Sequence, residues 1–574
     1  MKTYSLFSIL ALGTVLIPAS ASAQTVDAVT REAMTHFQSN RPQQAGQLLR
    51  QQATSQPSPD SYFFLGRYYL QTNQPDSAQM AFQKGVDLNK KDYLNKIGLG
   101  GVALLRGQTD EAKNRWAEAE KKAKRKHPDW LHRLADLNIL IDGKRNPDEA
   151  LRLIDKVLSN EKVDKKADYY VTKGDALRLK NQGGDAVSAY ESALLIDSQR
   201  PYALTQIGYI FKGSKNYNTA RDYFVKALGV DSTYTPAYEN LGDLYSLSRN
   251  YRSAAFNYKK MVDNSEPSDS TILRYTKLAF LSEDYKNMMD YLAKIKDQSL
   301  LENSNAIRRM YAYAYVTDDF KKYDEALELM QQVLNSSKED ELFTMDYAAL
   351  GRAYANRADT TTISDSLAVE YLTKATTDSS KNYYDEIALI EYKDLKDYRD
   401  AALAYEKSIQ WKEDHKQRVL GQDYYNVGRS AYFGFSINKD STMLPKADSA
   451  FAKLTEVNPT YDRGPFWRAR VNRYMQDDSA GRRAIAYYQA FLENADSTKV
   501  SKKDLIEANS YIGYQLYREK DIAQAVPYLE KTRELDPANK NVQQLLEYIE
   551  KRDLVADTKK EEETPEAQVS DTDN

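Results

Sequence analysis

Of the 574 residues, four are histidine and none is cysteine. The absence of thiols excludes thiolate zinc sites, iron–sulfur clusters, thiol catalysis, disulfide scaffolds and cysteine-linked lipid anchors. Metal or acid–base chemistry would then rest on His36, His127, His132, His415 and paired carboxylates. His127 and His132 stand five apart around Trp130, a spacing that does not place both on one helix face, and no zincin-type arrangement accompanies them. Asp318-Asp319 and Asp477-Asp478 fall where turns between helices are expected, and exposed carboxylates keep ordinary acidity. There is no Walker-type glycine loop, no G-x-S-x-G elbow and no D-x-D-x-D-G calcium loop; Gly100-Gly101 and Gly183-Gly184 fit a helix packing position and a turn. The expectation is a non-catalytic chain with no cofactor and no metal.

The elements that carry these residues are announced by composition. Lys+Arg 80 against Asp+Glu 83 gives a net charge of -3, so no basic excess exists to build a nucleic-acid surface. Gly 23 and Pro 16 are sparse for the length, while Tyr reaches 44 against Phe 16 and Trp 4, which describes a helix-rich chain with many amphipathic aromatics. At the start, Lys2, the apolar run from Leu6 to Ile17, Pro18 and Ala21-Ser22-Ala23 read as a signal peptide over 1–23, cleaved before Gln24. The run is about a dozen residues, short of the roughly 20 a membrane span needs. At the other end, 554–574 lacks large apolar side chains after Leu554 and Val555 and carries seven acidic residues. Such a segment buries too little surface to offset its ordering entropy, so a disordered acidic tail is expected there.

Between these ends runs a repeat. Gly174, Gly208, Gly242 and Thr276 are each 34 apart, as are Gly66 and Gly100. Twelve residues after each stands Ala78, Ala112, Ala186, Ala220, Ala254 or Met288, and four further on Phe82, Trp116, Tyr190, Phe224, Tyr258 or Leu292. A small residue midway along one helix and another early in the next let two backbones approach, while the large side chain four later fills the adjoining groove. Asn216-Tyr217-Asn218, Asn250-Tyr251-Arg252, Asp284-Tyr285-Lys286 and Asp397-Tyr398-Arg399 supply turns, with Asn or Asp closing one helix and opening the next.

Tyr62-x2-Leu65-Gly66-x2-Tyr69, Tyr238-x2-Leu241-Gly242-x2-Tyr245 and Tyr347-x2-Leu350-Gly351-x2-Tyr354 resemble the first-helix signature of the tetratricopeptide (TPR) family, with Tyr for the usual Trp. Ala45 with Pro57, Ala447 with Pro459 and Ala525 with Pro537 keep the family's second-helix spacing. Counting Ala45, Ala78, Ala112, Ala150, Ala186, Ala220, Ala254, Met288, Ala326, Ala368, Ala401, Ala447, Ala484 and Ala525 gives about 14 repeats over 24–553. The resemblance implies an all-α fold: a right-handed TPR superhelical solenoid of helix-turn-helix repeats. Extra residues fall at 142–148, 298–304, 359–366 and 438–445, and Val542, Leu545, Leu546 and Ile549 space a C-terminal capping helix.

The resemblance also implies where binding occurs. In the family the first helix lines the concave groove, with the residues three before and one after the small position pointing into it. Here these include Asp175, Glu239 and Asp243, an acidic section, and Tyr311, Tyr315, Arg352, Tyr425 and Arg429, a basic and aromatic one. Arg and Tyr suit a protein or peptide partner with acidic groups. The family's chaperone-carboxylate clamp does not transfer, because Phe63/Arg67, Thr205/Tyr209 and Ser510/Tyr514 stand where its Lys and Asn would be. The expected role is an exported scaffold of the bacterial cell envelope, in the periplasm or secreted. The alternatives are an assembly or secretion factor for outer-membrane or exported substrates, and an accessory subunit of a glycan- or peptidoglycan-acting complex. The latter would need a paired-carboxylate cleft.

Overall fold

Helix follows helix from Val26 to Glu562 in the computed structural model, which describes residues 26–562 except 124–125, 303, 359–360 and 497. The signal peptide read over 1–23 lies outside the described residues. Among these there are 29 α-helices and no strand. The first 28 pair into 14 antiparallel hairpins, from Val26–Gln38 with Pro42–Ser55 to Lys502–Arg518 with Ile522–Leu535, and Lys540–Glu562 follows. Each helix packs chiefly on its sequence neighbours, as a stack of repeats requires. The chain forms two units, Met1–Glu302 and Asn303–Asn574, and the division falls in the lengthened linker at 298–304.

The packing rule stated above explains why these segments pair. All fourteen anchor residues from Ala45 to Ala525 have no exposed surface. Phe82, Tyr190, Phe224 and Tyr258 are equally buried, and each lies over the small residue sixteen positions earlier. A Cβ added at Gly66, Gly174, Gly208 or Gly242 would lie within 2.6 Å of that ring. Glycine is required at these positions by close approach, since their backbone is ordinary helix.

The turns differ from expectation in one respect. Asn216, Asn250, Asp284 and Asp397 open the second helix, their side chains accepting from the backbone N–H of Thr219, Ser253, Asn287 and Asp400. The backbone N–H groups of Asn216, Asn250 and Asp284 also close the first helix, donating to the Phe211, Tyr245 and Ala279 carbonyls at 2.9 Å. The reversal itself lies in the preceding Lys215, Arg249, Glu283 and Lys396, which hold left-handed backbone with φ of 56–62°. A left-handed residue is what lets a helix end and reverse within two residues. Two further differences concern boundaries. The last helix runs to Glu562, past the tail boundary placed after residue 553, because Lys559 to Glu562 are good helix formers joined to an existing helix. In the eleventh hairpin the first helix ends in a π turn, Glu391–Leu395.

Candidate functional site

In unit 2 the anticipated binding residues sit on the first helices of their hairpins, and the contacts sort them into three groups. Helix Asn305–Tyr315 alternates: Ala312, Tyr313 and Ala314 are buried, and Tyr311 and Tyr315 are half-buried with ring centroids 5.9 Å apart. Burial, then the neighbouring Tyr315, pushes the Tyr311 phenol up. Lys322 Nζ lies 5.1 Å over the Tyr315 ring. Arg352, beside Gly351 on Thr344–Asn356, makes a two-pronged ion pair with Glu386 of the next first helix, Nε to Oε2 at 2.8 Å and Nη2 to Oε1 at 2.6 Å. On Gly421–Ser436, the Arg429 guanidinium lies 4.8 Å over the Tyr392 ring of the preceding first helix, and Tyr425 packs edge-on to Phe451 and Trp467.

A ladder of side chains therefore joins successive first helices, and spacing alone did not reveal its other rungs. Arg470, one residue after the small Ala469, pairs with Glu507 of the next first helix at 2.6 Å. Arg473 Nη1 and Tyr488 Oη also donate to Glu507. Burial pushes the Glu507 carboxyl up, but Arg470 and these donors outweigh it and hold it below its usual value. Arg470 obeys the same position rule as Arg352 and was findable by it. Arg309 and Asp346 were not: Asp346 has no exposed surface and accepts from Arg309, from Tyr313 Oη at 2.6 Å and from the Phe343 N–H.

Unit 1 corrects the expectation of an acidic section. Asp175 accepts the hydroxyls of Tyr190 and Tyr202 at 2.7 and 2.8 Å, and burial pushes its carboxyl up to about 6. Asp243 accepts from Tyr258 Oη, Lys212 Nζ at 3.0 Å and Arg274 Nη2 at 2.7 Å. Glu239 is the exposed member, 3.8 Å from Arg274. Asp175 is tied into the fold by tyrosine hydroxyls and Asp243 by Lys212 and Arg274 reaching in from other helix positions, which a rule of two positions per helix overlooks.

The histidines are also structural. His132 is buried with Nε2 2.9 Å from Thr172 Oγ1, and burial followed by the Arg133 charge lowers it to about 4, so it is neutral near pH 7. His127 stacks on Trp130 and His415 on Trp411. His36 faces Glu32 at 3.8 Å. Among the described residues no group of His, Asp and Glu could hold a metal ion, and no helix is long and apolar enough to cross a membrane.

Stacked hairpins in which a small first-helix residue receives a large second-helix side chain are tetratricopeptide repeats, and the family described as Tetratricopeptide repeat matches residues 59–92 and 201–234. The chain is built of such repeats. It is 26% identical over 166 residues to the human protein O-mannosyl-transferase TMTC1, a stretch covering 29% of this chain and 18% of that relative's length. Among solved structures it resembles the C-terminal part of a TPR repeat-containing protein from Cytophaga hutchinsonii, at 25% identity and a TM-score of 0.32, covering 47% of this chain and 98% of the other. A tetratricopeptide repeat protein from Parabacteroides merdae is 16% identical with a TM-score of 0.29, covering 46% and 98%. PilF of Pseudomonas aeruginosa is 17% identical with a TM-score of 0.27, covering 44% and 96%.

Proposed function

We propose that this chain is a non-catalytic protein-interaction scaffold of the bacterial cell envelope, exported by its leader, whose unit 2 receives a protein or peptide partner with acidic groups at Tyr311, Tyr315, Arg352, Tyr425 and Arg429. Tetratricopeptide solenoids bind protein partners along such inner faces. The observation that supports this surface is the state of Arg429. Its guanidinium lies 4.8 Å over the Tyr392 ring and makes no ion pair among the described residues, which leaves donors for a carboxylate brought by a partner. A pre-oriented Arg and half-buried Tyr side chains lose little freedom on binding, and these are the residue types that dominate interface energies.

A photo-crosslinking residue placed at Tyr311 or Tyr425 should trap one defined envelope protein, and Arg429→Ala should reduce that adduct about thirtyfold in apparent affinity if the contact is a hot spot of about 2 kcal/mol. The same residue at Ile363, 74% exposed on a second helix, should trap none. Adducts only from Ile363 would move the surface elsewhere. Export is checked separately: the chain recovered from the envelope fraction should begin at Gln24, and retention of the leader would contradict it.

A further inference from the structure

The two ends of unit 1 meet. Glu266, in the linker after helix Tyr251–Asp263, donates its backbone N–H to the Asn40 carbonyl at 2.8 Å, and its carboxylate accepts the N–H groups of Gln43 and Gln44 at 2.9 and 3.2 Å. Those N–H groups open helix Pro42–Ser55, whose own N-cap residue, Arg41, provides no side-chain acceptor. A carboxylate more than 220 residues away in sequence thus caps this helix, where exposed N–H groups and the helix dipole favour negative charge. A second tie, Arg31 to Asp197 at 3.7 Å, fixes helix Val26–Gln38 against a later repeat. The linker before the eighth hairpin is thereby tied to the first hairpin, and a partly open cavity lies within unit 1.

That space is a cavity of about 970 Å³, at the upper end of the size range of small-ligand pockets. Seven cationic side chains and five aspartates line it. Five of the cations have carboxylate partners: Arg67 pairs with Asp136, Arg200 with Asp168 and Asp197, Lys166 with Asp129, Arg31 with Asp197 and Arg145 with Asp142. Arg133 and Arg178 make no direct ion pair among the described residues, although Asp175 and the Tyr190 hydroxyl lie by Arg178 and Asp129, Asp136 and Asp168 surround Arg133. Arg133 lies 4.7 Å over the Phe64 ring, and Arg178 has its Nε enclosed without an acceptor. On the wall formed by the first helix, the buried Thr30 likewise has an enclosed, unpartnered Oγ1. His132 adds no charge. With Asp142 and Asp175 counted, the surroundings carry seven cations against six aspartates, one positive charge in excess, and Arg133 and Arg178 are held by aromatic neighbours or by enclosure.

We propose that the interior of unit 1 is a binding chamber for a compact anion bearing phosphate or carboxylate groups, gripped by Arg133 and Arg178. Guanidinium forks match both kinds of oxyanion, and a partly desolvated site strengthens the charge-assisted bonds. The cavity's size limits the occupant to a small molecule, and this sets the chamber apart from the partner surface of unit 2.

The test uses the full mature chain and two probes, inorganic pyrophosphate and citrate, in isothermal titration calorimetry. At least one should bind with unit stoichiometry; pyrophosphate alone would assign phosphate recognition and citrate alone carboxylate recognition. Arg133→Gln and Arg178→Gln should each weaken binding about tenfold or more, the loss expected for one charge-assisted contact. Arg178→Lys, which keeps the charge, should weaken it less, and equal helicity and thermal midpoint confirm that the variants fold. Failure of both probes to bind below about 1 mM, or binding indifferent to both arginine substitutions, would overturn the proposal.

Discussion

Replacing Gly242 by alanine adds one methyl group, and the structure says what it meets. The new Cβ would lie within 2.6 Å of the Tyr258 ring, whereas carbon atoms rest at about 3.5–4.0 Å, so the ring must recede by about 1 Å. It has little room to do so. Tyr258 has no exposed surface, its hydroxyl donates to Asp243 at 2.6 Å, and the Arg274 guanidinium covers its face at 4.7 Å. Overpacking of this kind costs about 1–3 kcal/mol, and loss of a hydrogen bond to a charged acceptor a further 1.5–3 or so. The better helix propensity of alanine returns about 1 kcal/mol. The balance is a destabilisation of about 1.5–5 kcal/mol, with Gly242→Leu worse. Because repeats lean only on their neighbours, amide exchange should rise about tenfold or more within residues 205–276 and little elsewhere. The double variant Gly242→Ala/Tyr258→Leu should recover most of the loss, since the chain itself pairs Thr276 with Leu292 in the next hairpin. Exchange that rises uniformly along the chain, or a double variant no better than the single, would refute the proposed packing.

Asp346→Ala should cost about 3–5 kcal/mol, because it strands Arg309, 12% exposed, without its counter-charge; urea unfolding of unit 2 checks this, and a loss below about 1 kcal/mol would reduce the pair to a surface ion pair. Lys215→Gly and Arg249→Gly should each raise stability by about 0.5–1 kcal/mol, since glycine takes left-handed backbone without the Cβ clash, and a lowered urea midpoint would speak against this. Burial first, then Asp397 and Asp400, pushes the Glu391 carboxyl from 4.5 up to about 7, so the neutral acid is favoured in the folded state. Unit 2 should therefore lose stability as pH rises from about 4.5 to 7, by about 1–2 kcal/mol after allowance for solvent. Glu391→Gln should flatten that slope, and an unchanged pH profile would show that Glu391 is not its source.

The hairpins could be read from the sequence because what makes them is local. A glycine, an alanine twelve residues later and a ring four beyond that are all needed within one repeat, so the period appears wherever two helices must approach. Fourteen fully buried anchors follow from that single constraint. The position rule also placed Tyr311, Arg352 and Arg429 on first helices, because it follows helix phase. It could not foresee their neighbours. Glu386, Tyr392 and Glu507 reach their partners through long side chains from adjacent repeats, and the 34-residue period does not encode which charge meets which.

The tie between the two ends of unit 1 lies further beyond reach. Each repeat turns the stack by a small rotation, and whether the first hairpin meets the eighth depends on the sum of those rotations, including the extra residues at 142–148. A change of a few degrees per repeat, invisible in the spacing of Gly and Ala, would carry Glu266 away from Asn40. The contact answers a local need. Helix Pro42–Ser55 begins after Arg41, a residue type that offers its N-terminal N–H groups no acceptor, whereas Asn216, Asn250, Asp284 and Asp397 cap their own helices. Gln74, Gln182 and Lys322 also open second helices without a side-chain cap, so what sets Pro42–Ser55 apart is the distant carboxylate of Glu266 on its N–H groups. Arg133 and Arg178, cations without a direct ion pair in a cavity where their neighbours are paired, are what direct attention to the chamber.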